Sequence, residues 1–204
     1  MVSSTNFALF VLASLGLVLI PGPNHLYIAA RGLAQGRAAG LASAFGVETG
    51  TLVHIAAAAA GLSYLISQSA TLFAIVKWAG VAYLVYLGVR AFTRGHEGAV
   101  RAPAPQPLPR VFLEGVLVNV LNPKMTLFFL AFLPHFLDPA GPAAPQIVLL
   151  GLTLFVLGVL SDLAYAMAAG ALSGRLAGRS RALGRVSGIV YLGLGVATAF
   201  AGRK

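Results

Sequence analysis

The chain has 204 residues, of which 58% are hydrophobic and 9% are charged, and its mean hydropathy is +0.88. Soluble domains are about one quarter charged, so this composition excludes a soluble globular domain and predicts one integral membrane domain over residues 1–204. The chain contains no cysteine, which excludes disulfides, thiol catalysis and cysteine-ligated metal sites. The net charge of +9 comes from short basic clusters between apolar segments, a pattern that favours orientation signals over nucleic-acid binding.

Six apolar segments follow one another along the chain, and each approaches or exceeds the roughly 20 residues that a membrane-spanning helix requires. None of them alternates with a period of two, so a β-barrel is not expected. We therefore predict an all-α integral membrane protein with six transmembrane helices. The predicted helices cover residues 6–30, 38–66, 70–92, 111–137, 145–172 and 183–201.

Basic residues are distributed unevenly among the connections between these helices. Ten of the 14 Lys and Arg residues lie between helices one and two, three and four, or five and six. Because basic residues are retained in the cytoplasm, this asymmetry predicts three cytoplasmic connections and both termini outside. The ten residues are Arg31, Arg37, Arg90, Arg94, Arg101, Arg110, Arg175, Arg179, Arg181 and Arg185.

A proline-rich cytoplasmic loop at residues 94–110 divides the chain into two halves, residues 1–93 and 111–204. Alternating prolines favour an extended, solvated linker. Each half holds three predicted helices, so the second half enters the membrane from the opposite side. This arrangement predicts two inverted three-helix repeats.

Two proline-containing interruptions lie at matching depths in the first and fourth predicted helices. The first is Pro21-Gly22-Pro23-Asn24 and the second is Asn122-Pro123-Lys124. Proline removes a backbone donor and pushes the preceding residue out of helical geometry, so both helices should break near the middle of the bilayer. Freed backbone groups need partners in lipid, and paired breaks are typical of transport sites. For either break alone, a simple proline kink is the alternative.

Three charged residues are predicted to lie within the membrane. A cation at Lys124 is costly there, so we expect an anion beside it: Glu48, Asp162 or a substrate carboxylate. Glu48 and Asp162 occupy the corresponding helices two and five, and a carboxyl group that alternates between wet and dry surroundings can carry a proton. A static salt bridge to Lys124 is the alternative for each acid. Glu114, beside Arg110, is expected at the membrane interface.

The remaining motifs give no sign of an enzyme, a cofactor or a metal site. No two of the four histidines pair within a helix turn, and no phosphate loop or hydrolase motif is present. His25 directly follows the first break, where it either lines the cavity or makes an ordinary structural hydrogen bond. Pairs of glycines four residues apart, such as Gly46 and Gly50, predict close helix packing, with a homodimer interface as the alternative.

The order and spacing of these motifs resemble the LysE/RhtB family of amino-acid exporters. The resemblance runs from about Leu9 to Asp138 and, more weakly, to the C-terminus. It implies a bacterial inner-membrane exporter of amino acids that is driven by the proton motive force. The residues that carry it are Pro21, Gly22, Pro23, Asn24, Ala38, Gly40, Gly46, Gly50, Lys77, Gly80, Tyr83, Leu84, Leu87, Gly88, Gly115, Asn119, Asn122, Pro123 and Lys124.

We therefore predict secondary active, proton-coupled export of an amino acid or close analogue from a site at the membrane midplane. Asn24, Asn122 and the helix N-termini at the two breaks would bind the substrate carboxylate. Glu48 or Asp162 would meet its ammonium group or carry the proton, and Lys124 would balance these charges. An inorganic cation exporter on the same scaffold is the alternative, and a membrane-embedded enzyme or assembly factor would need a catalytic constellation that the sequence lacks.

Overall fold

The computed structural model describes residues 2–20, 22–62 and 105–176, with isolated helical positions between residues 71 and 89. Within these residues the chain is helical and contains no strand. Pro21, Lys77 and the whole of the sixth predicted helix, at residues 183–201, lie outside the described residues. So do residues 90–104, so the division of the chain at a linker of residues 94–110 remains a prediction.

Six α-helices are described, and two of them continue into tighter or wider turns. The third is extended by a π-helical segment, Ala58–Leu62, and the fifth by a π-helical segment, Phe128–Phe132, and a 3₁₀ turn, Leu133–Phe136. The helices are α1 (Ser4–Leu19), α2 (Pro23–Gln35), α3 (Arg37–Ala57), α4 (Leu108–Val120), α5 (Pro123–Leu127) and α6 (Ala143–Leu176).

Both predicted breaks are confirmed as interruptions of the helices. The pair α1 and α2 is bent by 44°, and the pair formed by α4 and residues 123–136 is bent by 45°. Ile20 is extended (ψ 123°) because the next residue is a proline, and α2 then begins with Pro23 in its first turn. The fourth predicted helix begins at Leu108 rather than Val111, since Pro109 is tolerated in the first turn of a helix.

The length and apolarity of these helices fit a membrane protein. Two described helices could span a bilayer, and each bent pair could form one further span, so four candidate spans are described. Many large apolar side chains point outward, including Leu12 (66% exposed) and Leu160 (63%), whereas Lys124, Glu48 and Asp162 are buried. This reversal of the usual pattern is expected where lipid surrounds the helices.

Helices α3 and α4 are in backbone contact because glycines face each other across their interface. A Cβ atom added to Gly46 would overlap the main-chain carbonyl of Phe112, and one added to Gly115 would lie 2.8 Å from the carbonyl oxygen of Ser43. A Cβ atom added to Gly50 would lie 2.7 Å from the Cβ atom of Asn119. The prediction of close packing is therefore confirmed for Gly46 and Gly50, within one chain.

A single left-handed glycine connects α2 to α3 within the described residues. Gly36 has a φ of +83°, which glycine adopts without steric cost, and its N–H donates to the carbonyl of Gly32 at 3.0 Å. Helix α3 starts at the next residue. The tight reversal places α3 directly beside α2, so that Glu48 can reach the first break.

Candidate functional site

The two breaks meet through a side-chain hydrogen bond. The amide nitrogen of Asn122 donates to the amide oxygen of Asn24 at 2.8 Å, and both residues are buried. A cavity of about 420 Å³, which includes its opening, lies beside this contact. Its enclosed part has room for about two or three water molecules. The lining residues are Leu17, Val18, Gly22, Asn24, His25, Glu48, Thr51, Asn122, Lys124, Met125, Leu154, Gly158 and Asp162.

The carboxyl end of α1 is held by side chains from the second half of the chain. A helix end leaves its last carbonyl groups without helical partners, and the break at Pro21 creates such an end. Three side chains donate to the carbonyls of residues 17–20. Lys124 Nζ donates to residues 17 and 20 at 2.9 and 3.5 Å, Ser161 Oγ to residue 18 at 2.8 Å, and Tyr165 Oη to residue 19 at 3.3 Å.

Lys124 was expected to lie beside an anion, and Asp162 is close enough to interact with it electrostatically. Its ammonium group also donates to the main-chain carbonyls of Leu17 and Ile20. The carboxyl end of a helix carries a partial negative charge, so it can partner a buried cation. Lys124 lies at the start of its own helix, where its charge is unfavourable, and at the end of α1, where it is favourable.

Glu48 and Asp162 approach each other from α3 and α6. Both line the cavity, both are buried, and their carboxyl groups lie within hydrogen-bonding range of each other. Gly158 makes this approach possible, because a Cβ atom there would lie 2.5 Å from Glu48 Oε1. The structure therefore brings together the two acids that the sequence placed on corresponding helices.

His25 is also part of this cluster. Its Nδ1 accepts a hydrogen bond from the main-chain N–H of Gly22 at 3.3 Å, and its Nε2 lies 3.4 Å from Asp162 Oδ1. The imidazole packs against the ring of Tyr165, with 4.3 Å between centroids. The structure supports both roles considered for His25, because the residue lines the cavity and also accepts a structural hydrogen bond.

The arrangement combines groups that suit a zwitterion: a buried cation, two carboxyl groups and two amide side chains around one small space. Residues 15–202 match the sequence profile of the LysE type translocators. The chain belongs to the LysE type translocator family. The resemblance noted in the sequence is thereby confirmed.

Curated relatives support the assignment along nearly the whole chain. A homoserine/homoserine lactone efflux protein of Salmonella typhimurium is 31% identical over 197 residues, which cover 94% of this chain and 95% of the relative. The Salmonella typhi protein of the same name is similar to the same extent. A Pseudomonas aeruginosa relative, named only as an uncharacterized membrane protein, is 36% identical over 170 residues, 80% of this chain and 76% of the relative. No solved structure matches the chain.

Other predicted site residues of this translocator have different positions. Gly22 lines the cavity, whereas Pro23 and Pro123 shape the breaks without lining it. Pro21 lies outside the described residues. Among the described residues, no group of three or more His, Asp and Glu side chains is placed to hold a metal ion.

Sequence reasoning missed several residues of the site, including Thr51, Ser161 and Tyr165. A signal for them was present, because they lie one helical turn or one residue from the two acids. Thr51 follows Glu48 by one turn, and Tyr165 follows Asp162 in the same way. Polar residues adjacent to a buried charge in an apolar segment are good candidates for its partners.

A second polar cluster of the translocator joins α2 to α4 away from the cavity. Arg31 Nη2 lies 2.5 Å from Glu114 Oε2, and Arg110 Nε lies 3.4 Å from the other oxygen of Glu114. Tyr27 Oη donates to the Val111 carbonyl at 2.7 Å. The sequence placed Arg31 in the connection between predicted helices one and two, and this expectation was wrong. Helix α2 continues to Gln35, so Arg31 lies within it and is 4% exposed.

Proposed function

We propose that the protein exports a small neutral amino acid or a close analogue across the bacterial inner membrane, in exchange for protons. The observation that carries this proposal is the junction of the two breaks, where a cation, two carboxyl groups and two amides surround one cavity. The curated relatives named for homoserine and homoserine lactone efflux support this substrate class.

The substrate carboxylate would bind at the breaks. Asn24 and Asn122 offer amide groups there, and α2 begins with main-chain N–H groups that favour an anion. Lys124 contributes a positive charge at the same place. The substrate carboxylate would compete with the carbonyls of residues 17 and 20 for the ammonium group of Lys124. This competition would link substrate binding to the conformation of the first break.

The carboxyl pair would bind the substrate ammonium group and the coupling proton alternately. Two carboxylates in contact repel each other, so we propose that Glu48 and Asp162 hold one proton between them while the site is empty. The pair then carries one negative charge, which balances the charge of Lys124. Loss of the shared proton would leave a second negative charge to bind the substrate ammonium group. A zwitterion therefore suits the site better than a basic amino acid, which brings a further positive charge.

Export by intact cells tests this proposal directly. Cells that express the protein are loaded with a mixture of labelled amino acids including homoserine, and the medium is followed by mass spectrometry. We expect faster release of small neutral amino acids, abolished by an uncoupler. Glu48→Gln and Asp162→Asn should each reduce this release at least tenfold, whereas Asp138→Asn, outside the cavity, should not. Uncoupler-sensitive release that persists in both variants would remove the carboxyl pair from the mechanism. An unchanged amino-acid profile with increased metal tolerance would favour the cation exporter instead.

We also propose the orientation that the basic residues predict, with the connection before α4 in the cytoplasm and the turn before α6 outside. Because the chain has no cysteine, single substitutions such as Pro105→Cys and Ala140→Cys give a clean background for labelling. A membrane-impermeant thiol reagent added to intact spheroplasts should label the second variant and not the first. The opposite result would overturn the orientation.

A further inference from the structure

We propose that His25 positions Asp162 for proton exchange, as a hydrogen-bond donor whose tautomer is fixed by the first break. This inference rests on the proposed function and gives a role to a buried side chain that the scheme above does not use. His25 is 6% exposed and lies between the main chain of the break and the carboxyl pair. It lies beside Asp162 in the lining of the same cavity and is a positioning residue.

The tautomer of His25 follows from its contact with the main chain. The N–H of Gly22 can only donate, and it points at Nδ1 over 3.3 Å. A ring nitrogen that accepts a hydrogen bond carries no proton, so a neutral imidazole here has its proton on Nε2. The break itself therefore decides which nitrogen of His25 is the donor.

The donor nitrogen has three acceptors nearby, one of them the main-chain carbonyl of Val18. Nε2 lies 3.4 Å from Asp162 Oδ1 and 3.5 Å from Ser161 Oγ. The hydroxyl of Ser161 uses its own proton for the carbonyl of Val18 at 2.8 Å, so it can only accept from His25. A proton on Nε2 thus has Asp162, Ser161 and the Val18 carbonyl within reach, and the packing of the imidazole on Tyr165 restricts its rotation.

The surroundings make the two acids unequal. Titratable groups face Asp162 from four directions: His25 on α2, Glu48 on α3, Lys124 on α5 and Tyr165 on α6. The proposed hydrogen bond from His25 and the charge of Lys124 would both stabilise Asp162 as a carboxylate. Glu48 interacts with the Thr51 hydroxyl, but its buried oxygen Oε2 has no hydrogen-bond partner, which is less costly for a neutral carboxyl group. The shared proton therefore rests on Glu48 and leaves by transfer to the Asp162 carboxylate, which releases it to water as the substrate binds.

A simple helix cap is the competing role for His25, and two isosteric substitutions separate the roles. In His25→Asn the amide can replace Nδ1 and keep the contact with Gly22, but it cannot reach Asp162. In His25→Gln the amide can replace Nε2 and keep a donor to Asp162, but it is poorly placed for the cap. If His25 positions Asp162, His25→Gln should preserve function better than His25→Asn. If His25 only caps the helix, His25→Asn should preserve function better.

The first readout does not depend on transport. Infrared absorbance of protonated carboxyl groups is recorded against pH for the purified protein, and the bands are assigned with Glu48→Gln and Asp162→Asn. We expect the midpoint for Asp162 to be unchanged in His25→Gln and to move to higher pH by about one unit in His25→Asn, the size expected for one lost hydrogen bond to a carboxylate. Equal midpoints in the wild type and His25→Asn, or a shift confined to His25→Gln, would overturn the inference.

The second readout is movement of labelled L-homoserine in liposomes. Proton-driven transport by His25→Gln should remain within threefold of the wild type, and that by His25→Asn should fall at least tenfold. On an Asp162→Asn background, adding His25→Asn should not reduce homoserine counterflow further, because His25 acts through Asp162; a further reduction would contradict this. If wild-type liposomes move no homoserine, the proposed function fails for this substrate, while the infrared midpoints still decide the role of His25.

Discussion

The two helix breaks share their proline chemistry and bend by 44° and 45°, but their backbone groups are satisfied in different ways. At the second break most partners are local, and one is distant: His54 Nε2 on α3 lies 3.1 Å from the carbonyl oxygen of Asn119. Asn122 caps the N–H of Lys124 at 3.0 Å, and the N–H groups of residues 121 and 122 return to carbonyls of their own helix, both at 2.9 Å. At the first break, the carbonyls of residues 17–20 depend on side chains from α5 and α6.

This difference separates a break held mainly by its own residues from one held mainly by side chains of distant helices. Apart from His54, the partners at the second break are neighbours in sequence. The first break changes whenever Lys124, Ser161 or Tyr165 moves. We therefore expect the first break to respond to substrate and proton, and the second to act as a fixed support. The following substitutions test this comparison.

The largest effect is expected from Lys124→Ala. It leaves the carbonyls of Leu17 and Ile20 without this donor and should lower the free energy of unfolding by about 2–4 kcal/mol, since each buried unpaired group costs about 1–3 kcal/mol. Export should also be lost. Thermal unfolding in detergent measures the first effect, with Arg110→Ala, an exposed basic residue, as the control. A variant that unfolds like the wild type would show that the first break needs no support from Lys124.

A smaller effect is expected from Ser161→Ala. This substitution removes the donor to the carbonyl of Val18 and should lower the free energy of unfolding by about 1–2 kcal/mol. Thr153→Ala is a matched control on the same helix, because the Thr153 hydroxyl is exposed and bonds only within its own helix, to the carbonyl of Leu149. Equal unfolding temperatures for the two variants would contradict the dependence of the first break on α6.

The smallest effects are expected from the two asparagines. Asn122→Ala removes both a helix cap and the hydrogen bond between the breaks, and should lower the free energy of unfolding by about 1–2 kcal/mol. Asn24→Ala removes only the hydrogen bond between the breaks. Chemical denaturation should therefore rank the asparagine at the second break as the more important for stability. The reverse order would mean that the second break is not self-capped.

Much of the architecture could be predicted because it depends on local chemistry. Proline geometry placed the breaks, apolar length placed the helices, and the cost of charge in lipid identified Glu48, Lys124 and Asp162. The partners of these groups could not be predicted in the same way. Lys124 donates to a carbonyl 107 positions away, and Arg31 meets Glu114 across 83 positions.

The sequence by itself determined that the chain is a helical membrane protein of the LysE type translocator family, with interrupted first and fourth helices. Only the tertiary structure decided that Lys124 caps α1, that Arg31 lies inside a helix beside Glu114, and that His25 lies beside Asp162. The physical reason is the range of the interactions. Helix breaks follow from residues in sequence contact, whereas the partner of a buried polar group depends on which distant segment packs against it.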